Sequence, residues 1–200
     1  MIETHWHWKS NYQTDLSWQL QRHQDILAGT LSEALLFAEH LPCITMGKRG
    51  GELKGHTATP IFQINRGGFA TWHGPGQLVL YPLLHLQRRG LGTKSFVSIL
   101  EEALLQTLRE YGVQAVRREK YPGIWWQGKK LASLGLEIKK GISMHGCAIN
   151  INNNLQGFQE IIPCGFDDIE MISLSQIQGD SIPLYDFGCK WQKKLRQCLC

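Results

Sequence analysis

The stretch Arg66-Gly67-Gly68-Phe69-Ala70-Thr71-Trp72-His73-Gly74-Pro75-Gly76-Gln77 carries four glycines, one arginine and one histidine, just ahead of the apolar run Leu78 to Tyr81. Glycine reaches positive φ and has no Cβ to hold a ligand off the main chain, so a polar substrate can lie against backbone N–H groups here. Arg66 adds a permanent cation with a planar donor fork, and His73 adds a group that titrates near neutrality. The plain alternative is a hairpin corner, with Gly74-Pro75-Gly76 as ordinary turn chemistry.

Three further stretches hold chemistry-bearing side chains. In Lys129-Lys130-Leu131-Ala132-Ser133-Leu134-Gly135-Leu136, strand alternation places Lys130 on the face of Ala132, Leu134 and Leu136. An ammonium on an apolar face is costly to bury charged, so its pKa is expected to fall and the amine becomes a candidate base. The alternative is a lysine that snorkels to water. In Met144-His145-Gly146-Cys147-Ala148, Gly146 and Ala148 flank a thiol and leave room for a ligand or a second sheet. In Ile161-Ile162-Pro163-Cys164-Gly165, Pro163 keeps Ile162 extended and Gly165 lets another group approach, so Cys164 sits on a defined turn rather than inside a strand. A thiol there becomes a nucleophile once a cation or base raises its thiolate fraction. Lys130 and His73 are the candidates by character, not by spacing.

The elements that must position these residues follow from periodicity. Thr14 to Ala28 is expected to be a helix with Leu16, Leu20 and Leu27 on its apolar face and Gly29 ending it. Thr93 to Tyr111 is the clearest helix, N-capped by Thr93, with Phe96, Val97, Leu100, Leu104, Leu108 and Tyr111 as its stripe. A last helix runs from about Leu184 to Leu195 and buries Phe187, Trp191 and Leu195. Strands are expected at Ala34–Ala38, Cys43–Met46, Ile61–Ile64, Leu78–Leu86, Val113–Val116, Ile124–Trp126, Lys130–Ile138 and Ser143–Ile151. Strands clustered between helices favour an α+β fold of mixed, mainly antiparallel sheets over a doubly wound parallel one. The aromatic N-terminus His5-Trp6-His7-Trp8 fits surface or edge-strand packing.

Two hundred residues suit one domain spanning 1–200. No apolar run approaches the ~20 residues that span a bilayer, and the first residues lack a secretory pattern, so the expectation is a cytoplasmic protein without a membrane partner. None of the six cysteines forms a Cys-x-x-Cys pair, and two histidines at i and i+2 are too few for a metal site. Cys198 and Cys200 are expected to fray. The formal charge of +4 suits an acidic macromolecular partner or an anionic substrate. No nucleic-acid-binding pattern accompanies it.

Taken together, Arg66 to Gln77, Lys130 to Gly135, His145 to Asn150 and Pro163-Cys164-Gly165 resemble, in order, the four motif blocks of the octanoyl-acyl-carrier-protein:protein N-octanoyltransferases of lipoate biosynthesis, over roughly residues 12 to 175. That resemblance implies the α+β fold of the lipoate- and biotin-protein ligases and a Cys/Lys acyltransferase mechanism. Cys164 then corresponds to the nucleophile that takes the acyl group as a thioester, and Lys130 to the lysine that activates it. The substrate-contacting blocks correspond to Arg66, Gly67, Gly68, Phe69, Ala70, Thr71, Trp72 and His73, to Ser133, Leu134 and Gly135, and to Gly146, Cys147 and Ala148. The donor implied is octanoyl-acyl carrier protein. The acceptors implied are lipoyl domains of 2-oxoacid dehydrogenases or the glycine-cleavage H protein. Neither ATP, a metal nor another cofactor is implied, because thioester to thioester to amide runs downhill. The backbone N–H of Leu134 or Gly135 is the expected oxyanion donor.

Three departures from the family pattern stand out. Trp72 replaces a usual tyrosine, Asn152-Asn153-Asn154-Leu155 lacks the usual aspartate before leucine, and Cys147 is an additional thiol. The nearest rival is an ATP-dependent lipoate-protein ligase, which needs no cysteine nucleophile. A third reading, a non-catalytic acyl-binding module, is opposed by the presence of both Lys130 and Cys164.

Overall fold

The computed structural model describes residues 2–119, 121–162 and 169–200; Pro163, Cys164 and Gly165 lie outside the described residues. Seven strands form one sheet in the order β1-β2-β6-β10-β9-β8-β7: β1 (Ile2–Ser10), β2 (Glu33–His40), β6 (Gln77–Leu83), β10 (Ile142–Asn150), β9 (Lys129–Lys139), β8 (Ile124–Trp126) and β7 (Val116–Arg117). Only the β1–β2 pair is parallel in this sheet. A small second sheet pairs β3 (Cys43–Met46) with β4 (Ile61–Gln63) in parallel and with β5 (Thr71–His73) antiparallel. The mainly antiparallel α+β expectation holds.

Alternation along the central strands splits the interior in two. Leu35, Phe37, Leu78, Leu80, Cys147 and Ile149 face helices α2 (Thr93–Glu110) and α4 (Leu184–Cys198). Leu36, Ala38, Val79, Tyr81 and Ala148 face the other way, toward α1 (Tyr12–Ala28) and the small sheet. A fourth helix, α3 (Leu174–Gln178), is closed at its N-terminus by a Ser173/Gln176 capping box.

α2 and α4 bury the predicted stripes, including Phe96, Leu100, Leu104 and Leu108 on one and Phe187, Trp191 and Leu195 on the other. The N-cap of α2 is Gly92 rather than Thr93, and Ser95 Oγ returns to the Gly92 carbonyl. Cys198 is the last residue of α4 and packs, partly buried, against the large core, whereas Cys200 lies beyond the helix and is exposed. The strand expected at Val113–Val116 shrinks to Val116–Arg117, because Val113 is taken into the core by the turn that closes α2.

The face assigned to α1 is wrong. Leu20 and Leu27 are 42% and 39% exposed, while Asp15, Gln19, Arg22 and His23 are buried beside Tyr12 and Ile26. The rest of the fold supplies partners for this polar face. Asp15 pairs with His7 Nδ1 at 2.6 Å and His40 Nδ1 at 3.3 Å, and accepts from Ser10. Gln19 Oε1 accepts from the His145 amide at 3.0 Å, and His23 Nε2 donates to the Lys139 carbonyl at 2.9 Å. Arg22 donates to the Ser32 carbonyl and to Glu3. The aromatic N-terminus forms edge strand β1, with Trp6 stacked on Phe37 at 4.5 Å.

Candidate active site

A cavity of about 280 Å³ opens between the large sheet and the small one. The Arg66–Thr71 loop lines it from one strand connection, β9 and β10 line it from the large sheet, and Thr93 and Val97 line it from the start of α2. Arg66, Gly67, Gly68, Phe69, Ala70, Thr71, His73, Lys130, Ser133, Leu134, Gly135, Gly146, Cys147 and Ala148 all line it. Side chains that the sequence does not single out line it too, notably Tyr12, Thr45 and Tyr81. They arrive from three separate elements with no local motif, so no spacing points to them.

Trp72 is placed elsewhere. Its ring is absent from the cavity lining and packs on Phe158 at a centroid distance of 5.6 Å. A Cβ on Gly74 or on Gly157 would lie 2.1 Å from the ring, so both positions must stay bare to admit it. The tryptophan therefore clamps residues 155–160, the segment that leads toward position 163, rather than touching a ligand in the cavity.

The glycine loop is held by main-chain bonds. Lys48 N–H donates to the Arg66 carbonyl at 2.9 Å, Arg49 N–H to Gly68 at 3.1 Å, and Gly67 N–H to Leu136 at 2.9 Å. The last bond fixes the polarity of β9. Because the Leu136 carbonyl turns outward to Gly67, the two-residue alternation turns the Leu134 N–H the same way and sends Gly135 N–H into the β10 ladder. Of the two expected oxyanion donors, the geometry leaves Leu134 on the open side. Gly146 serves a different need from ligand access: a Cβ there would lie 1.9 Å from the Leu80 carbonyl, so its bareness admits the neighbouring strand.

Arg66 is buried, and its fork is directed at protein oxygens. Nε and Nη2 donate to Thr45 Oγ1 at 3.3 and 3.0 Å, Nη2 to the Thr45 carbonyl at 2.7 Å, and Nη1 to the Gly67 carbonyl at 3.0 Å. His73 does not titrate near neutrality. Burial lowers its pKa to about 4, with Arg66 and His145 acting in the same direction against its bond to Gln77. His145 is likewise lowered to about 4 by burial, with Arg66 and Lys48 adding to the shift. The wall is thus lined by neutral imidazoles. The backbone of His145 sits at φ 57°, and its Nδ1 has no hydrogen-bond partner among the described residues.

Lys130 is only 3% exposed, with Nζ 5.4 Å from the centroid of the Trp125 ring. Its main chain is tied on both sides of Met171: Lys130 N–H donates to Glu170 at 2.8 Å, and Ile172 N–H to Lys130 at 3.0 Å. The backbone that returns from the 163–168 segment is therefore stitched to the lysine. Cys147 lies near Lys130, but burial pushes its thiol well above the ordinary range, with Glu101 adding and Lys130 opposing. A thiol held protonated in this way is a poor nucleophile.

The two-sheet α+β frame, with a glycine-walled cavity and a buried lysine, is shared with known proteins. The lipoyl protein ligase A/B catalytic domain family matches residues 11–196. Among solved structures, a lipoate-protein ligase A bound with ATP superposes with a TM-score of 0.73 at 14% identity, covering 100% of this chain and 86% of that one. The Aquifex aeolicus biotin protein ligase gives 0.59 at 16% identity over 100% and 70%. These two establish the fold. Two sequence relatives are more informative. The octanoyltransferase of Caldicellulosiruptor saccharolyticus is 40% identical over 192 residues, 91% of this chain and 82% of the relative. That of Geobacter metallireducens is 42% identical over 181 residues, 89% and 84% of the two chains. The chain belongs to the lipoyl protein ligase A/B catalytic domain family, within its octanoyltransferases.

Proposed function

We propose that this chain transfers an octanoyl group from acyl carrier protein to the lysine ε-amine of a lipoyl domain or glycine-cleavage H protein, through a thioester on Cys164. The observation that carries the reading is the cavity itself: a largely apolar pocket lined by both buried Lys130 and Leu134. In the first half-reaction the Cys164 thiolate attacks the donor thioester, the carbonyl oxygen becomes an oxyanion, and the Leu134 N–H stabilises it. The carrier sulfur leaves and takes from Lys130 the proton that the lysine had drawn from the Cys164 thiol, which returns the amine to its neutral form. In the second, the acceptor amine attacks the acyl-enzyme, Lys130 relays the proton the amine loses, and Cys164 departs as thiolate. The family membership of the chain supports these roles for Cys164 and Lys130. A basic sequence, with formal charge +4, supports an acidic carrier as donor. No described helix is long and apolar enough to cross a membrane, and we place the reaction in the cytoplasm.

Intact-protein mass spectrometry after mixing with octanoyl-acyl carrier protein, without ATP, tests the reading. The expected result is a gain of one octanoyl group that maps to Cys164, discharges onto an added lipoyl domain and is lost in Cys164→Ser. Acceptor modification that requires ATP and free octanoate would make the chain a ligase and overturn it. A hydroxylamine-sensitive adduct that persists in Cys164→Ser would move the nucleophile, with Cys147 the next suspect.

A further inference from the structure

A run of buried hydrogen bonds crosses the molecule behind the cavity, and its polarity can be deduced from one end. The Ile172 carbonyl can only accept, so the Asn150 amide nitrogen donates to it, at 3.2 Å. Asn150 Oδ1 is then an acceptor, taking bonds from Gln77 Nε2 at 3.0 Å and Asn153 Nδ2 at 3.1 Å. With its nitrogen so engaged, Gln77 presents Oε1 to His73 Nδ1 at 2.7 Å, and that nitrogen must carry the proton. The neutral ring leaves Nε2 as an acceptor, so the Thr45 hydroxyl at 3.3 Å must donate to it. The lone pairs of Thr45 Oγ1 then remain for Arg66 Nε and Nη2. Every link has a defined direction, from a main-chain carbonyl to the guanidinium on the cavity wall. The starting residue is the one whose N–H is bonded to Lys130.

We infer that Thr45 is a positioning residue of the acyl site: its hydroxyl joins His73, held as the Nδ1–H tautomer, to Arg66, and so fixes the wall against which the acyl donor lies. This rests on the octanoyl-transfer reading for its kinetic consequence, but not for its structural one. Thr45 is fully buried in β3 and lines the cavity, and its single hydroxyl meets both His73 and Arg66. Serine keeps the relay. Valine keeps the shape and removes it, taking from His73 Nε2 its donor and from Arg66 Nε and Nη2 the hydroxyl oxygen they share.

Two readouts test this. The nitrogen-15 resonances of His73 in the wild-type chain should show a protonated Nδ1 and a hydrogen-bonded, unprotonated Nε2. In Thr45→Val the Nε2 resonance should shift toward that of a free acceptor, and Thr45→Ser should restore it. In the transfer assay, Thr45→Val should raise the KM for octanoyl-acyl carrier protein tenfold or more with kcat within threefold, and Thr45→Ser should lie within threefold of wild type in both. A wild-type ring protonated at Nε2, an unchanged KM in Thr45→Val, or a serine variant as impaired as the valine one would overturn the inference. A wild-type chain that transfers no octanoyl group would refute the transfer reading instead, while the ring nitrogens would still decide the role of Thr45.

Discussion

Acid should weaken this fold well above the carboxylate range, because its site is walled by imidazoles that the fold keeps neutral. His73 and His145 each have a pKa of about 4 in the folded chain, against 6.5 for an unperturbed ring. Another buried ring, His40, is shifted downward by burial and by nearby His73, with Asp15 opposing. A depressed folded pKa means that below 6.5 the unfolded chain binds the proton first. Stability is then complete above that pH and is lost as pH falls toward the folded value. At pH 5 the loss is about 2 kcal/mol per ring, or about 4 kcal/mol for His73 and His145 together. Set against a typical total of about 5–15 kcal/mol, that is a large share. Urea unfolding at about pH 7.5 and pH 5 measures it directly. His73→Asn removes one protonation site, so the slope of stability on pH between about 6 and 5 should fall by about 1.2 kcal/mol per pH unit. A wild-type chain that changes by less than about 1 kcal/mol across the window would refute the burial argument.

Lys130→Ala should slow octanoyl transfer by about 10²–10⁴-fold, as expected for a lost proton-transfer group; a rate within threefold of wild type in single-turnover assays would remove the lysine from the mechanism. Gly146→Ala forces a Cβ to 1.9 Å from the Leu80 carbonyl and must part β10 from β6. It should cost more than about 3 kcal/mol in denaturant unfolding, and a cost below about 1 kcal/mol would contradict the packing at that ladder. Trp72→Phe should lower the melting temperature and leave the KM for the donor unchanged, since the ring packs on Phe158 and not in the cavity. A raised KM at unchanged stability would return the ring to the substrate.

What the sequence reveals depends on whether an element announces its role locally. α2 and α4 bury apolar side chains at helical spacing, and both were legible from that spacing alone. α1 was legible as a helix but not in its orientation, because hydrophobicity marks a buried face only when that face is apolar. Its buried carboxylate, amide and guanidinium have partners drawn from β1, from the 29–32 turn and from the β9–β10 hairpin, none of them predictable from residues 12–28. For β1, the alternating histidines and tryptophans left surface and edge-strand packing both open, and no simple binary pattern marked the bounds of the strand. Within the site, the glycine loop and the Lys130 strand declared themselves by composition. Thr45 and Tyr81 did not, since a lone hydroxyl on a short strand carries no signal until the fold sets Arg66 and His73 on either side of it. Trp72 shows the converse: membership of a motif block does not fix which way a side chain points.

The polar underside of α1 also bears on how the chain is made. β1, α1 and β2 form a parallel unit within the first forty residues, the kind of local piece that a growing chain can assemble early. Yet the underside of its helix contacts the His145 amide, 126 positions away, and the Lys139 carbonyl, 116 positions away. Until that hairpin has been synthesised, Gln19 and His23 would face an apolar sheet with nothing to bond, an arrangement that favours solvent over docking. Residues 1–40 prepared alone should therefore show little helix by circular dichroism and should not survive brief proteolysis, whereas a fragment containing residues 129–150 added in trans has the groups that α1 lacks. The first forty residues of this protein are a late joiner, held back from closing until the strands that carry the reaction are there to receive it.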